Sequence, residues 1–250
     1  MEQIFPFNFF QRTHLFPDYS FLGADMHSHL LPGIDDGAQN MTESIELVNG
    51  LRALGFEALY TTPHVMSDRY PNTPDTIARA SEQLLAGLVA ANHSTIRLQA
   101  AAEYLLDDAF GTLIEKGDLL TLPGKRVLVE ESFVAPSPRM EEHIFTLCVN
   151  GYIPVMAHPE RYHFWQKSLA HYKKLLEMGC DLQVNLLSLT GYGGKEVERS
   201  AYKLVESGMV SFLATDLHNG EQLKILQKAL SNRKMARLFS RHQFQNINLV

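Results

Sequence analysis

Two pairs of residues set the chemistry of this chain. His27 and His29 stand two apart, and so do Asp216 and His218. In an extended segment, residues i and i+2 point the same way, so each pair can present two donors to one space. His64, Glu103, Glu130 and His158 add imidazoles and carboxylates between the pairs. Neutral imidazoles mixed with carboxylates suit manganese, iron, zinc or cobalt. Eight such donors exceed what one tetrahedral or octahedral ion takes, so the set points to two or more metals. Asp35 and Asp36 have two readings: a turn ahead of a helix, or completion of a metal site. We favour Asp36 as a ninth ligand. His14, His93, His143, His171 and His242 have no such company and read as ordinary histidines.

These donors need a scaffold, and the pattern of apolar residues supplies one. Short apolar runs predict strands over residues 21–26, 58–62, 96–101, 127–130, 153–157, 182–185 and 210–214. Between them, helical periodicity predicts helices over 41–54, 74–91, 139–150, 169–178, 195–206 and 221–230. Gly55, Gly151, Gly179 and Gly208 follow helices, where a left-handed residue is wanted. Residues 66–74 read as a loop, and the last twenty as helical and then frayed. Strands alternating with helices give a parallel α/β sheet, either a closed seven-stranded barrel or an open doubly wound sheet. No glycine-rich phosphate loop follows the first strand, which weakens the dinucleotide-binding version. The eight donors His27, His29, His64, Glu103, Glu130, His158, Asp216 and His218 each lie at the carboxyl end of a predicted strand. In a parallel barrel those ends converge on one face, where active sites are built.

The bulk composition narrows the function. The chain has 250 residues, a formal net charge of -6 and 45% hydrophobic residues. That balance argues against a nucleic-acid surface. Cys148 and Cys180 are too few for a disulfide framework, and a reducing, cytoplasmic compartment is expected. Residues 1–20 are rich in aromatics, among them Phe5, Phe7, Phe9, Phe10, Phe16 and Tyr19. They carry neither a signal-peptide pattern nor a membrane-spanning run. We read them as an arm packing on the barrel or on a neighbouring subunit of a homo-oligomer, with residues 21–250 as a single domain.

The strings around the donors carry a resemblance. DMHSHLLPGIDDGA (25–38), TTPHV (61–65), AAEYLLD (101–107), LVEES (128–132), GYIPVMAHPERY (151–162) and ATDLHN (214–219) resemble the bacterial capsule-type metal-dependent protein-tyrosine phosphatases. These are a branch of the polymerase-and-histidinol-phosphatase superfamily. The resemblance implies a distorted seven-stranded (β/α)7 barrel holding two or three divalent metal ions. Manganese is expected, with iron, zinc, cobalt or magnesium as alternatives. Carried over by position, the ligands are His27, His29, Asp36, His64, Glu103, Glu130, His158, Asp216 and His218, with Glu130 bridging metals. Arg161 binds the phosphate.

The resemblance also implies hydrolysis of protein phosphotyrosine by a metal-activated water, with His218 as a candidate acid toward the departing oxygen. A second arginine that relatives often carry after the last ligand pair is absent here; Lys224 and Arg69 are the candidates to replace it. Cysteine-based catalysis is not supported, because the residues six positions after Cys148 and Cys180 are Pro154 and Leu186, not arginine. The implied partner is a phosphotyrosine protein, such as the tail of a membrane tyrosine autokinase, and no nucleic acid. The alternatives are a histidinol-phosphate type small-molecule phosphatase, a nuclease on the same scaffold and a non-catalytic binding module.

Overall fold

The computed structural model describes residues 16, 18–93 and 97–250. All strand ladders among the described residues are parallel. The strands are β1 (Ala24–Asp25), β2 (Ala58–Thr61), β3 (His64–Val65), β4 (Arg97–Ala100), β5 (Glu103–Leu105), β6 (Arg126–Glu130), β7 (Ile153–Met156), β8 (Asp181–Asn185) and β9 (Phe212–Ala214). β1, β2 and β4 pair as one sheet, and β3, β5, β6, β7, β8 and β9 as another. The two are one curled surface. β2 runs on into β3 through Thr62 and Pro63, and β4 into β5 through Ala101 and Ala102. Across that break the Ala101 amide still donates to Thr61 O (2.9 Å) and the Glu103 amide to Pro63 O (3.1 Å). Counted as continuous runs, there are seven strand positions, as the sequence predicts.

β1 and β9 form the seam of the barrel. At its top the backbone pairs directly, Asp216 N to His27 O at 2.8 Å and His29 N to Leu217 O at 2.9 Å. In the middle, Asp25 accepts from the Thr215 amide (2.9 Å) and hydroxyl (2.6 Å). Burial pushes the Asp25 carboxyl up to about 7. At the bottom a side chain fills the gap. Asn246 donates to Ala24 O (3.1 Å) and Leu213 O (2.6 Å) and accepts from the Leu213 amide (3.0 Å).

Helices cover the outside: α1 (Met41–Ala53), α2 (Pro74–Ala90), α3 (Phe110–Lys116), α4 (Met140–Val149), α5 (Ala170–Glu177), α6 (Leu186–Leu189), α7 (Lys195–Glu206), α8 (Gly220–Ala229) and α9 (Arg233–Phe239). Their starts have local causes. Asn40 caps α1 through the Glu43 amide, and Thr73 and Thr76 form a reciprocal cap ahead of Pro74. Gly55, Gly151, Gly179 and Gly208 all have positive φ.

Three expectations are corrected. Residues 20–22 form a 3-10 turn and not the start of a strand, because Gly23 at φ +70° turns the chain. α3 and α6 lie outside the predicted helices, being too short for a periodic signal, whereas α9 falls in the helical part expected of the last twenty residues. The C-terminus is not frayed: a 3-10 turn over Gln245–Leu249 buries Asn246 and Leu249 against the seam. The arm of residues 1–20 lies mostly outside the described residues. At its described end, Phe16 packs on Tyr19, Phe21 and Phe239, and the Tyr19 hydroxyl donates to Leu226 O at 3.0 Å.

The core has two parts. A large cluster lies between the sheet and the helices. A small one fills the barrel floor with Ala58, Tyr60, Leu128, Phe212 and Ala214, plugged by Leu122 and Leu249. The period-two pattern carries this floor into the polar face above it. Leu128 is followed on the same face by Glu130, Ala101 by Glu103, and Ala214 by Asp216. Each inward row therefore turns from apolar to ionisable toward the carboxyl end of its strand.

Candidate metal centre

Glu103 stands at the middle of the ionisable layer and is fully buried. Its carboxylate lies 3.2 Å from His27, 3.4 Å from His29, 3.0 Å from His64 and 3.0 Å from His158. Glu130 meets His64 at 2.9 Å and reaches His158 only at 4.0 Å. Asp216 touches both His27 and His29 at 3.3 Å. Asp36 lies 3.3 Å from His64 and 3.6 Å from His218. All nine residues named from the sequence thus fall into overlapping groups of donor atoms: His29, Asp36, His64 and His218; His27, His29 and Asp216; His27, Glu103 and His158; His64, Glu103 and Glu130.

The backbone bends to bring them there. His158 and Asp216 adopt left-handed conformations, φ 33° and 50°, which are uncommon for residues with a β-carbon. Strain of this kind costs about 1–3 kcal/mol and persists where surrounding structure over-determines it. Gly37 is the residue that lets the 30–38 loop close over His29. A β-carbon there would lie 2.2 Å from His29 O.

The hydrogen bonds around the cluster fix which nitrogens face inward. Asp216 is acceptor-only, so the Asn185 amide donates to its Oδ2 (2.7 Å). That turns Asn185 Oδ1 toward Gln183, which donates to it at 2.8 Å. Gln183 Oε1 is then left to accept the Nδ1 proton of His27 (2.9 Å). Asp35 does the same for His29 at Nδ1 (2.9 Å) and also accepts from the His64 and Gly37 amides. The Nε2 lone pairs of His27 and His29 consequently face each other at 3.2 Å, beside Glu103 and Asp216. Lone pairs converging without donors are what a cation satisfies.

A second observation agrees. Buried Glu103 Oε2, Glu130 Oε1, Asp216 Oδ1, His64 Nδ1 and His158 Nδ1 have no hydrogen-bond partner, although such groups are normally paired. The electrostatics run the same way. Burial opposes an imidazolium, yet Glu103 and Asp216 outweigh it and raise His27, and Asp35 helps raise His29 well above its ordinary range. Against its own burial, Glu103 is held well below the usual carboxylate range by His27 and His64. The cluster favours positive charge in its midst, and its donor set fits divalent transition metals.

A cleft of about 540 Å³ opens onto this layer, lined among others by Asp36, His218, Phe133, Leu187 and Tyr192. Arg161 is the cationic side chain among the described residues lining it. Asp216 holds its Nη1 at 3.0 Å, and its guanidinium lies 4.6 Å over the Phe133 ring. Arg69 and Lys224 are not brought to the cleft. Arg69 stacks on Tyr70, whose ring in turn stacks on His64, and Lys224 is exposed on α8. His218 donates from Nδ1 to Asp216 O (2.9 Å), which leaves only Nε2 for other work.

The sequence reading missed Gln183 and Asn185, Asp35 as a histidine partner, and Phe133 and Tyr192 as cleft walls. Gln183 and Asn185 carried a signal: two polar residues alternating with Leu182 and Val184 in a strand buried on both faces. Neither cysteine is near the site. Cys148 donates to Met178 O, and burial pushes the Cys180 thiol far up, so neither is a thiolate.

A parallel α/β barrel with clustered imidazole and carboxylate donors at its carboxyl pole, beside Arg161, defines the class as a metallohydrolase-like protein. Sequence comparison is more specific. The family model for capsular polysaccharide synthesis proteins of the CpsB/CapC type matches residues 23–247, and the chain belongs to that family. It is 31% identical over 196 residues to the tyrosine-protein phosphatase YwqE of Bacillus subtilis, covering 78% of this chain and 77% of that protein. It is 27% identical over 214 residues to the putative tyrosine-protein phosphatase CapC of Staphylococcus aureus, covering 83% and 82%.

Among solved structures, it superposes on one from a study of YwqE from Bacillus subtilis and CpsB from Streptococcus pneumoniae, described as unique metal-dependent tyrosine phosphatases. The TM-score is 0.74 at 28% identity, covering 88% of this chain and 95% of that one. A lactonase from Listeria monocytogenes shares the fold alone, with a TM-score of 0.52 at 10% identity over 93% of this chain and 92% of that one. The resemblance read from the motifs is borne out.

Proposed function

We propose that this chain is a metal-dependent protein-tyrosine phosphatase, acting on phosphotyrosine in a protein segment presented to the cleft. The observation that carries the reading is the donor-free convergence of imidazoles and carboxylates around Glu103, with Arg161 beside it at the mouth of a cleft walled by aromatic residues. His27, His29, Asp36, His64, Glu103, Glu130, His158, Asp216 and His218 are assigned as ligands of two or three divalent metals, manganese first. Glu103 lies against four of the histidines and Glu130 closely against one, so Glu103 would be the carboxylate most widely shared among the residues that hold the metals. Bound metals would act as Lewis acids toward a phosphoryl oxygen and lower the pKa of water toward about 7.

The protein's own part is positioning. Arg161, held by Asp216 and Phe133, offers its remaining N–H groups to the phosphoryl oxygens. Gln183 and Asp35 keep His27 and His29 in the tautomer that leaves Nε2 free. His218 has one nitrogen available, so it serves as a ligand or as an acid but not both at once. A phenolate departs readily enough to need little help from an acid, which supports the ligand role and a tyrosine substrate. The finer partner we infer is a tyrosine-rich tail of a membrane autokinase, met on the cytoplasmic side. Among the described residues, no helix is long and apolar enough to cross a membrane.

Chelation should abolish hydrolysis of a phosphotyrosine peptide and of p-nitrophenyl phosphate, and manganese should restore both. Thiol alkylation should leave both unchanged. Arg161→Lys should lower kcat/KM by about 10²-fold, the scale of losing one oriented oxyanion donor. Full activity after exhaustive chelation would overturn the assignment.

A further inference from the structure

Away from the cleft, positive charge concentrates on the flank made by α7 and α9. A groove of about 600 Å³ is lined by Arg233, Arg237 and Arg241 with Glu206. A second, of about 560 Å³, runs along α7 past Lys195 and Lys203. The two share Glu206 and Lys234, so they adjoin, and we treat them together as one channel. Lys195, Arg199 and Lys203 recur every four residues along α7 and Arg233 and Arg237 along α9, which stacks like charges on successive turns, and Arg241 follows just beyond the end of α9. Arg199 pairs with Glu196 and Lys234 with Glu198. Lys195, Lys203, Arg233, Arg237 and Arg241 make no ion pair among the described residues. Like charges four apart cost helix stability. The whole chain carries -6, which makes the cationic flank a local exception.

The channel leads to the site. Its upper end is Lys195, and the adjoining Gly193 and Val197 line the cleft that holds Arg161. α7 has 12 residues, about 18 Å, a length spanned by about five or six residues of extended chain. We propose that this channel is an exosite for an acidic, extended segment lying to one side of the phosphotyrosine in the substrate protein. The proposal rests on the phosphatase reading above. A peptide is favoured over a membrane surface because the flank is concave and lacks the apolar anchors a membrane-lying helix needs. Large exposed apolar side chains such as Phe145 and Val149 lie on α4 instead.

The test compares three substrates with manganese present: a phosphotyrosine peptide with five glutamates on one side, the same peptide with serines in their place, and p-nitrophenyl phosphate. In an Arg233→Gln/Arg237→Gln/Arg241→Gln variant, KM for the acidic peptide should rise about tenfold with kcat unchanged, while the other two substrates are unaffected. In the unaltered protein, salt should raise KM for the acidic peptide more steeply than for the serine peptide. An unchanged KM for the acidic peptide, or an equal loss on both peptides, overturns the exosite. So does binding to phosphatidylserine vesicles that the variant loses while peptide kinetics stay the same. If the unaltered protein hydrolyses none of the three, the phosphatase reading itself fails. That outcome is distinct from hydrolysis without a preference for acidic flanks.

Discussion

Gln183 does work at the residue scale that no ligand can do for itself. An imidazole ligates a metal only through a lone pair, and the nitrogen that keeps the proton is set by the hydrogen bond it makes. At His27 that choice passes from Asp216 through Asn185 and Gln183 to Nδ1. Gln183→Leu should preserve the fold, since Leu fills a similar volume, but remove the acceptor that orients the ring. Metal affinity should fall about 10–100-fold, the usual effect of losing such an outer partner. A metal titration of activity would read this as a rightward shift. A superimposable titration would mean that the ring is held by packing alone.

At the scale of elements, the seam between β1 and β9 is where the barrel is held least by strand pairing. A ladder is absent at its lower end, and Asn246 supplies three hydrogen bonds in its place. Replacing it with Ala leaves the Leu213 amide and two carbonyls buried without partners. Each such group costs about 1–3 kcal/mol, so Asn246→Ala should destabilise the fold by about 3 kcal/mol or more. Urea unfolding should show a lower midpoint at unchanged slope. A loss below about 1 kcal/mol would show that the backbone pairs at His27 and His29 hold the seam by themselves. Because those pairs also place two of the assigned ligands, the variant should weaken metal binding together with stability.

At the scale of the whole molecule, a buried layer of carboxylates and imidazoles is costly to assemble. Ionised groups taken out of water require partners. A cation in their midst would supply them, so metal binding and folding should be linked. At free manganese about a thousandfold above the dissociation constant, linkage contributes about 4 kcal/mol. For a chain of this size that corresponds to a rise in Tm of about ten degrees. Calorimetry with manganese and after chelation would measure it. Equal melting temperatures would mean that the folded chain binds the metal no more tightly than the unfolded one, against a site assembled by the fold.

The sequence by itself determined the repeating alternation of strands and helices, the family, and the identity of the residues that cluster around Glu103. Those are local facts: period-two and helical spacing, glycines after helices, and donors placed at the ends of apolar runs. The motifs also separated His27, His29, His64, His158 and His218 from the remaining histidines. Only the tertiary structure decided how the donors share one another. Glu103 became the hub because β5 places it between four histidines drawn from β3 and from the segments that follow β1 and β7, and spacing along one chain cannot rank contacts between strands. The roles of Gln183, Asn185 and Asn246 were likewise hidden, since a polar side chain reveals its partner only when another segment arrives beside it. Lys224 and Arg69 were plausible by position, but neither is among the residues that line the cleft. The cationic channel lay unread for the same reason: its two halves belong to separate helices, α7 and α9, and meet where Lys234 reaches Glu198 and Tyr202.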